Sequence, residues 1–378
     1  MTVPGSALDL LSGDARTFVA KIWASRVHLH KADPAQLVGL FSLDDADGLL
    51  TSSAIRTPSI RVAKDGSVLP ESSYTRGATL AGKPLTGLVD PRKTLDLFTN
   101  GATIVYQGLH RYWPPITRLV AELELELGHP CQANAYLTPP GAQGFAVHSD
   151  SHDVFVFQTA GSKQWEVHGP EGASDVRLEP GLSMYLPTGT PHAARAQDAV
   201  SLHVTLGINQ LTWRGLLQRS LAGVLANVPD EHLPAGYLDD PDELVEELAK
   251  RLENLATRVR GIDGTAAVEA EVRRFLTGRS PRLAGGLHDV LALGTIDDAT
   301  PLRRRPGHPC VLLTRGQRVD VLLGDRSVDM PGWLRPALDV VRSRPEVRPS
   351  DLAEHLDPQS ALVLCRRLVR EGLLEVVG

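Results

Sequence analysis

The sequence predicts an α+β protein built around an antiparallel β-barrel of the jelly-roll type, and three observations support that prediction. Between residues 102 and 209, short apolar stretches alternate with clusters of glycine, proline, aspartate and serine. Residues 5–60 and 212–277 instead show the apolar spacing of helices. The composition, with 42% hydrophobic and 22% charged residues, is that of a chain able to bury a sizeable core.

The barrel prediction rests on apolar stretches that have the length of a strand and are bounded by residues favouring turns. These stretches are 133–137, 154–158, 164–167, 182–186 and 201–206. Before them, Asp65-Gly66 within the alternating residues 59–75 predicts a β-hairpin. We therefore expect residues 1–211 to form a barrel domain with a helical N-terminal part.

Residues 212–277 are predicted to form a separate helical domain. Apolar residues recur every three or four positions in this segment and so share one helix face, namely Leu244, Leu248, Leu252, Leu255 and Val259. Such a face packs either on its own chain or on a second copy of the chain, and we expect a homodimer. The glycine, proline and serine residues of 277–286 predict a linker after this domain.

Residues 287–378 are predicted to form a third domain. The order of helix, turn, helix and strand near its end is typical of a winged-helix module. Arg366, Arg367 and Arg370 lie on the second predicted helix, where a DNA-binding protein places its contacts. Acidic residues just before that helix offset this charge, so nucleic acid is an alternative partner and not the expected one.

Composition excludes several classes of protein. A formal net charge of −6 excludes a uniformly basic protein that coats nucleic acid. The three cysteines, Cys131, Cys310 and Cys365, are too few and too far apart for a disulfide framework or a cysteine-rich zinc module. No apolar run approaches the roughly 18 residues that a membrane span needs. The N-terminal residues lack the pattern of a secretory signal, so we expect a cytoplasmic protein.

The triplet His148-Ser149-Asp150 is the first candidate metal-binding motif. On a strand, residues two apart point to the same side, so this imidazole and carboxylate could bind one metal ion. A second histidine from a distant strand would complete a set of two nitrogens and one oxygen, which is typical of non-haem Fe(II) oxygenases. Zinc accepts the same residue types. Several histidines could complete the set by position, among them His152, His168 and His203.

Longer patterns around this triplet carry a family resemblance. They are the stretch from Asn134 to Asp150, the stretch from Asp153 through Lys163-Gln-Trp165, the Tyr185-Leu-Pro187 segment leading to Pro191-His192, and Ser201-Leu-His203-Val-Thr-Leu. Together they resemble the JmjC-type cupin oxygenases, specifically the ribosomal-oxygenase branch that hydroxylates ribosomal proteins. The resemblance implies a double-stranded β-helix, or cupin, barrel. The order of helical N-terminus, barrel, helical region and winged helix also matches that branch.

The resemblance implies a metal site and its cofactors. It assigns His148, Asp150 and His192 as the iron ligands at the catalytic centre. Lys163 would bind the distal carboxylate of 2-oxoglutarate, the co-substrate with O2. Only seven lysines occur in the chain, so a lysine at this position is more informative than usual.

Three further residues are predicted near the co-substrate or substrate. Asn134 and Tyr136 have the same inward parity on one predicted strand, and Ser201 is a weaker candidate of the same kind. We assign Asn134 and Ser201 to co-substrate binding and Tyr136 to substrate binding. Ordinary barrel residues that satisfy one another's hydrogen bonds would show the same pattern.

By resemblance the substrate is a protein, with an arginine or histidine side chain of a ribosomal protein as the first choice. Thr188 departs from the family, in which a basic residue is common at this position, and the loop between His192 and Ser201 is short. Both departures bear on the substrate and not on the metal. The alternatives are an oxygenase of a small peptide or natural product, a metal-binding cupin sensor that regulates transcription through the winged helix, and a zinc or manganese cupin isomerase.

Overall fold

The computed structural model describes residues 6–142, 147–169, 172–195 and 199–377. The chain divides into two compact units, one ending at Gln210 and the other beginning at Leu211. The helices of the first unit are α1 (Ala7–Ser12), α2 (Ala15–Lys21), α3 (Pro34–Val38), α4 (Leu43–Ser52), α5 (Pro91–Thr99) and α6 (Pro114–Leu127). Its strands are β1 (His28–Lys31), β2 (Ile60–Lys64), β3 (Ser67–Val68), β4 (Thr75–Leu80), β5 (Lys83–Val89), β6 (Thr103–Tyr106), β7 (Cys131–Thr138), β8 (Asp153–Gly161), β9 (Lys163–Gly169), β10 (Gly172–Leu178), β11 (Leu182–Leu186), β12 (His192–Arg195) and β13 (Ser201–Ile208).

Two antiparallel sheets form the barrel. The larger has the strand order β1-β11-β8-β13-β7-β6-β2-β3, and the smaller has the order β10-β9-β12. Every predicted barrel stretch lies within a strand, since the five stretches fall in β7, β8, β9, β11 and β13. Strands β1, β6, β10 and β12 were not predicted.

The larger sheet is covered on both faces. Phe155 and Phe157 of β8 point toward the N-terminal helices, where they join Phe18 in one apolar core. Val154 and Val156 point the other way and pack with Trp165 of the smaller sheet in a second core. Because both faces of β8 are buried, its sequence is continuously apolar where a half-exposed strand would alternate. The second face is the one that lines the inside of the barrel.

Local sequence signals explain where the N-terminal helices begin. Helix α4 starts with a capping box, in which the Ser42 hydroxyl accepts from the Asp45 N–H and the Asp45 carboxylate accepts from the Ser42 N–H. Helix α6 starts with Pro114 and ends at Gly128, which has a left-handed backbone conformation. These helices bury their apolar faces on the larger sheet and fix its position.

The second unit contains helices followed by mixed helices and strands. Its helices are α7 (Trp213–Leu225), α8 (Pro241–Arg260), α9 (Gly264–Thr277), α10 (Gly286–Ala292), α11 (Arg335–Ser343) and α12 (Pro358–Arg370). Its strands are β14 (Leu302–Arg304), β15 (Val311–Arg315), β16 (Arg318–Leu322), β17 (Ser327–Pro331), β18 (Glu346–Val347) and β19 (Leu374–Val376). One apolar core contains residues from all the strands β14 through β19 and from helices α11 and α12. Among the described helices, none combines the length and the apolar character needed to cross a membrane.

Candidate metal and co-substrate site

The backbones of His148 and His192 form an isolated antiparallel bridge. The His148 N–H donates to the His192 carbonyl at 3.0 Å, and the His192 N–H donates to the His148 carbonyl at 2.8 Å. Asp150 is fixed nearby because its carbonyl accepts from the Gly189 N–H at 3.0 Å. The expectation that His148 and Asp150 share a regular strand is therefore wrong: the bridge ends at His148, and residues 149 and 150 belong to no strand. Residues 143–146 of the predicted stretch lie outside the described residues.

The side chains of His148, Asp150 and His192 meet in one cluster. Each offers one ligand atom, and these atoms all lie within 4.8 Å of one another. The His192 Nδ1 hydrogen-bonds to the Thr190 carbonyl at 2.9 Å, which leaves Nε2 at 3.6 Å from an Asp150 oxygen. Fixing one ring nitrogen in this way orients the other toward a metal. The cluster has the residue types of the two-histidine, one-carboxylate iron sites.

The rival histidines have other surroundings. His168 pairs with Glu166 at 2.9 Å, and His152 packs against the backbone of Gly207. His203 is buried, is not one of the clustered ligands, and stacks on Tyr136 with ring centroids 4.9 Å apart. In the part of the chain that the structure describes, His148, Asp150 and His192 form the one group of three such side chains close enough to share a metal ion.

The three candidate ligands His148, Asp150 and His192 are called the metal cluster below. A cavity of about 300 Å³ opens beside them, between the two sheets. Alternate residues of β7, β8, β9, β12 and β13 supply its walls, as expected for side chains that face the inside of a barrel. Its lining residues are Arg61, Tyr136, His148, Asp150, Val154, Val156, Lys163, Trp165, His192, Ala194, His203 and Thr205. The volume is at the small end of the range for ligand pockets, which suits a compact ligand.

Lys163 is a buried ammonium group on the wall of this cavity. It begins β9, is 5% exposed, and has its Nζ 3.4 Å from the Thr138 hydroxyl. Burial lowers the pKa of Lys163 to about 8. Among the described residues, no carboxylate forms an ion pair with it. A buried charge without a partner is unfavourable, so a ligand carboxylate would stabilise this lysine.

The other predicted residues fall into two groups. Tyr136 lines the cavity, with its ring stacked on His203. Asn134 and Ser201 do not line it: the Asn134 side-chain oxygen accepts from the Gly108 N–H at 2.9 Å, and the Ser201 hydroxyl accepts from the Gln158 amide at 3.0 Å. The roles assigned to these three residues stay predictions.

Arg61 and Asp153 are two residues near the site that the sequence did not indicate. Arg61 lines the cavity from β2, a strand that reaches β7 only through β6. Asp153 accepts from the Thr188 N–H at 2.8 Å and so fixes the turn that precedes His192. Strand alternation could have predicted to which side of its strand Arg61 points, but local sequence does not predict which strands become neighbours.

Several buried polar atoms of the cavity wall lack a hydrogen-bond partner. They are the Arg61 Nε, the Trp165 Nε1 and the His203 Nδ1. Buried polar groups are normally hydrogen-bonded, so a cluster of such atoms around one cavity indicates a polar ligand. Lys163 would pair with a carboxylate of such a ligand, whereas the Arg61 Nε lies on the Tyr136 side of the cavity and is free to bind a different polar group.

Comparison with known protein families matches residues 114–216 to the JmjC domain. Ribosomal oxygenase 1 of Gallus gallus is 30% identical over 228 residues, covering 54% of this chain and 36% of that protein. A bifunctional lysine-specific demethylase and histidyl-hydroxylase NO66 of Branchiostoma floridae is 31% identical over 273 residues, covering 66% of this chain and 43% of that protein. The chain thus spans less than half the length of these relatives.

Comparison with solved structures extends the similarity along the chain. The crystal structure of the Escherichia coli ribosomal oxygenase YcfD has a TM-score of 0.54 at 20% identity, covering 96% of this chain and 98% of that one. The complex of YcfD with cobalt and 2-oxoglutarate has a TM-score of 0.53 at 21% identity, with the same coverage. At this identity the match establishes the fold, which includes a JmjC cupin barrel. The resemblance drawn from the sequence is confirmed: the chain carries a JmjC domain and is similar to the ribosomal oxygenases in sequence and in fold.

Proposed function

We propose that this protein is an Fe(II)- and 2-oxoglutarate-dependent oxygenase that hydroxylates a side chain of a protein, with a ribosomal protein as the favoured substrate. One observation carries the proposal. A cluster of two histidines and an aspartate shares a small cavity with a buried, unpaired lysine. A bound metal would satisfy the three ligand side chains, and a dicarboxylate beside it would satisfy the charge of the lysine.

The residues present fit the iron and the co-substrate. His148, Asp150 and His192 would hold the iron and leave coordination positions open. Bound iron, 2-oxoglutarate and O2 would supply the oxidising chemistry of hydroxylation. Lys163 would hold the distal carboxylate through a short charge-assisted hydrogen bond. Val154, Val156 and Trp165 form an apolar wall of the cavity that holds the iron ligands and Lys163, and they would exclude water.

The names of the relatives guide the choice of substrate. The relative from Gallus gallus is named a ribosomal oxygenase, and the one from Branchiostoma floridae is named in part a histidyl-hydroxylase. By analogy the substrate of this chain is an arginine or histidine side chain of a ribosomal protein. Tyr136 lines the cavity and would contact that side chain, while Asn134 and Ser201 would support the co-substrate pocket from behind its wall.

The proposed organisation has three domains, at residues 1–211, 212–277 and 287–378. Helices α7 and α8 expose an apolar face, in which Leu217, Leu248 and Leu252 are each more than half exposed. The described residues of the second unit leave these leucines exposed. An exposed apolar face of this kind supports a homodimer. The variant Leu248→Glu/Leu252→Glu should sediment as a monomer where the parent chain sediments as a dimer.

The proposed winged helix would lie within residues 287–378, where the short 3₁₀ helix Pro349–Leu352, helix α12 and strand β19 follow one another. Two of its three candidate DNA-contacting arginines already have partners: Arg366 donates to the Ile296 carbonyl at 2.6 Å, and Arg367 pairs with Glu371 at 2.7 Å. These contacts favour a protein-interaction or structural role over DNA binding. Cys310 and Cys365 are buried free thiols, which supports the proposed cytoplasmic location.

The decisive experiment is the formation of succinate from 2-oxoglutarate. Purified protein would be loaded with Fe(II) without oxygen and then exposed to air, with and without ribosomal proteins from the same cells. We expect succinate formation that the ribosomal proteins stimulate, and a +16 Da shift in one of them. Protein that holds metal but binds no 2-oxoglutarate would contradict the oxygenase and favour the sensor or the isomerase.

A further inference from the structure

Arg61 reaches the cavity from a strand outside the predicted barrel. In the larger sheet Arg61 pairs with Val105, and Val105 pairs with Tyr136. Residues directly opposite in neighbouring strands point to the same face, so Arg61 stands on the Tyr136 side of the sheet. Burial raises the pKa of Tyr136, and the charge of Arg61 with a hydrogen bond from it opposes that rise. The guanidinium is therefore beside the Tyr136 hydroxyl.

The guanidinium has donors to spare. Its Nε is buried without a hydrogen-bond partner, and among the described residues no carboxylate lies within ion-pair distance of it. An arginine carries five N–H donors in a planar fork and no acceptor. A ligand oxygen next to Tyr136, such as a peptide carbonyl, would satisfy this group.

The positive charge of Arg61 would also act on the substrate side chain. This inference rests on the proposed function. Bound Fe(II) and Asp150 together carry one positive charge, and Lys163 adds another. A bound 2-oxoglutarate dianion neutralises both. The charge of Arg61 is then left unbalanced in a cavity of about 300 Å³, where any side chain presented to the metal must come close to it.

We propose that Arg61 is a specificity-determining residue of the substrate site. Its guanidinium donates to a carbonyl oxygen of the substrate peptide, and its charge disfavours a cationic side chain at the metal cluster. The residue that this protein modifies is therefore neutral when bound, as an imidazole is, and a lysine or arginine side chain is rejected. Lys163 and Arg61 thus have different ligands, the co-substrate and the peptide.

The test uses two degenerate peptide pools that differ only in the central residue, histidine in one and arginine in the other. Wild type, Arg61→Gln and Arg61→Lys would be loaded with Mn(II) and 2-oxoglutarate without oxygen, and peptide retention would be measured by equilibrium dialysis and mass spectrometry. Calorimetric binding of 2-oxoglutarate to each sample, measured first, tests the proposed function separately. Because this readout is binding, it does not depend on turnover.

We expect wild type and Arg61→Lys to retain the histidine pool over the arginine pool by roughly tenfold or more, the size of effect a nearby like charge produces at low screening. In Arg61→Gln the ratio should fall to near one while affinity for 2-oxoglutarate stays within about threefold. An unchanged ratio in Arg61→Gln, or retention of neither pool by wild type, would overturn the proposal. A large loss of 2-oxoglutarate affinity in Arg61→Gln would also overturn it, by assigning Arg61 to the co-substrate.

Discussion

The backbones of His148 and His192 donate to each other's carbonyls, at 3.0 and 2.8 Å, in one isolated bridge. Two segments that are distant in the sequence are joined at the point where each supplies a candidate metal ligand. The bridge uses main-chain atoms only, so it does not depend on the imidazoles or on a metal. The cluster is therefore organised before a metal binds, which lowers the ordering entropy that binding must overcome.

Replacing either bridged histidine by alanine should abolish metal binding and leave the barrel folded. In wild type, Mn(II) at about a hundred times its dissociation constant should raise the melting temperature by roughly 5 °C, since bound ligand stabilises the native state. His148→Ala and His192→Ala should lose this rise. Their melting temperatures without metal should stay close to that of wild type, because the bridge remains.

The matched control for these variants is His168→Ala, which removes a rival histidine that pairs with Glu166. It should keep the full metal-dependent rise in melting temperature. Loss of the rise in His168→Ala, or its persistence in His192→Ala, would assign the metal to other ligands.

Lys163→Met should weaken binding of 2-oxoglutarate strongly without destabilising the protein. Lys163 is 5% exposed and no carboxylate among the described residues pairs with it, so in the absence of co-substrate its charge opposes folding. Methionine has a similar shape and no charge. We expect an unchanged or higher melting temperature, together with a loss of 2-oxoglutarate affinity of about 30-fold or more, the usual effect of removing one partner of a buried ion pair.

Calorimetric titration of the metal-loaded protein measures this affinity, and the exposed Lys83→Met is the control. Mn(II) should stabilise Lys163→Met as much as it stabilises wild type. Unchanged 2-oxoglutarate affinity in Lys163→Met would show that this lysine does not bind the distal carboxylate.

Binding of 2-oxoglutarate should weaken as the pH rises above about 8. Burial lowers the pKa of Lys163 to about 8, and the bound carboxylate requires the ammonium form. The free protein releases this proton as the pH passes 8 while the complex retains it, so affinity should fall by up to tenfold for each further pH unit. The titratable neighbours His203 and Tyr136 do not oppose this, because burial keeps the pKa of His203 well below its ordinary value and raises that of Tyr136.

Isothermal titrations between pH 7 and 9.5 would measure this dependence, and Lys163→Arg is the control because a guanidinium keeps its charge over that range. Wild type and Lys163→Arg should diverge above pH 8. Parallel curves for the two proteins would exclude Lys163 as the group that titrates.

The barrel strands could be predicted from local sequence, whereas part of the site could not. Short apolar stretches bounded by turn residues indicated β7, β8 and β13, because both signals lie within the strand and its immediate neighbours in the sequence. Arg61 was missed because its place on the cavity wall depends on the pairing of β2 with β6 and of β6 with β7. Such long-range pairing leaves no trace in the neighbouring residues.

The metal cluster shows a different limit. Strand parity suggested that His148 and Asp150 would point the same way, and the two side chains do meet, but residues 149 and 150 belong to no strand. The family resemblance, and not parity, singled out His192 among the histidines. Thr188 stands where a basic residue is common in the family. In this structure it has a role of its own, because its N–H and hydroxyl both donate to Asp153, at 2.8 and 2.6 Å.

Asp153→Ala should weaken metal binding although Asp153 is not a ligand. The carboxylate accepts from Tyr185 and from two donors of Thr188, and the turn after Thr188 bonds to Asp150 through the Gly189 N–H and to His192 through the Thr190 carbonyl. An alanine side chain accepts from none of these donors, so the turn loses both of its bonds to residue 153. We expect the free energy of unfolding to fall by about 1–3 kcal/mol and the Mn(II) affinity by about tenfold or more.

Tyr185→Phe separates the two effects in Asp153→Ala. It removes one hydrogen bond to the same carboxylate but leaves both bonds to Thr188, so it should lower stability by about 1 kcal/mol and leave Mn(II) affinity unchanged. Urea unfolding and metal titration of both variants give the comparison. Equal losses of metal affinity in the two variants would mean that general loosening of the barrel, and not the Thr188 turn, connects Asp153 to the metal cluster.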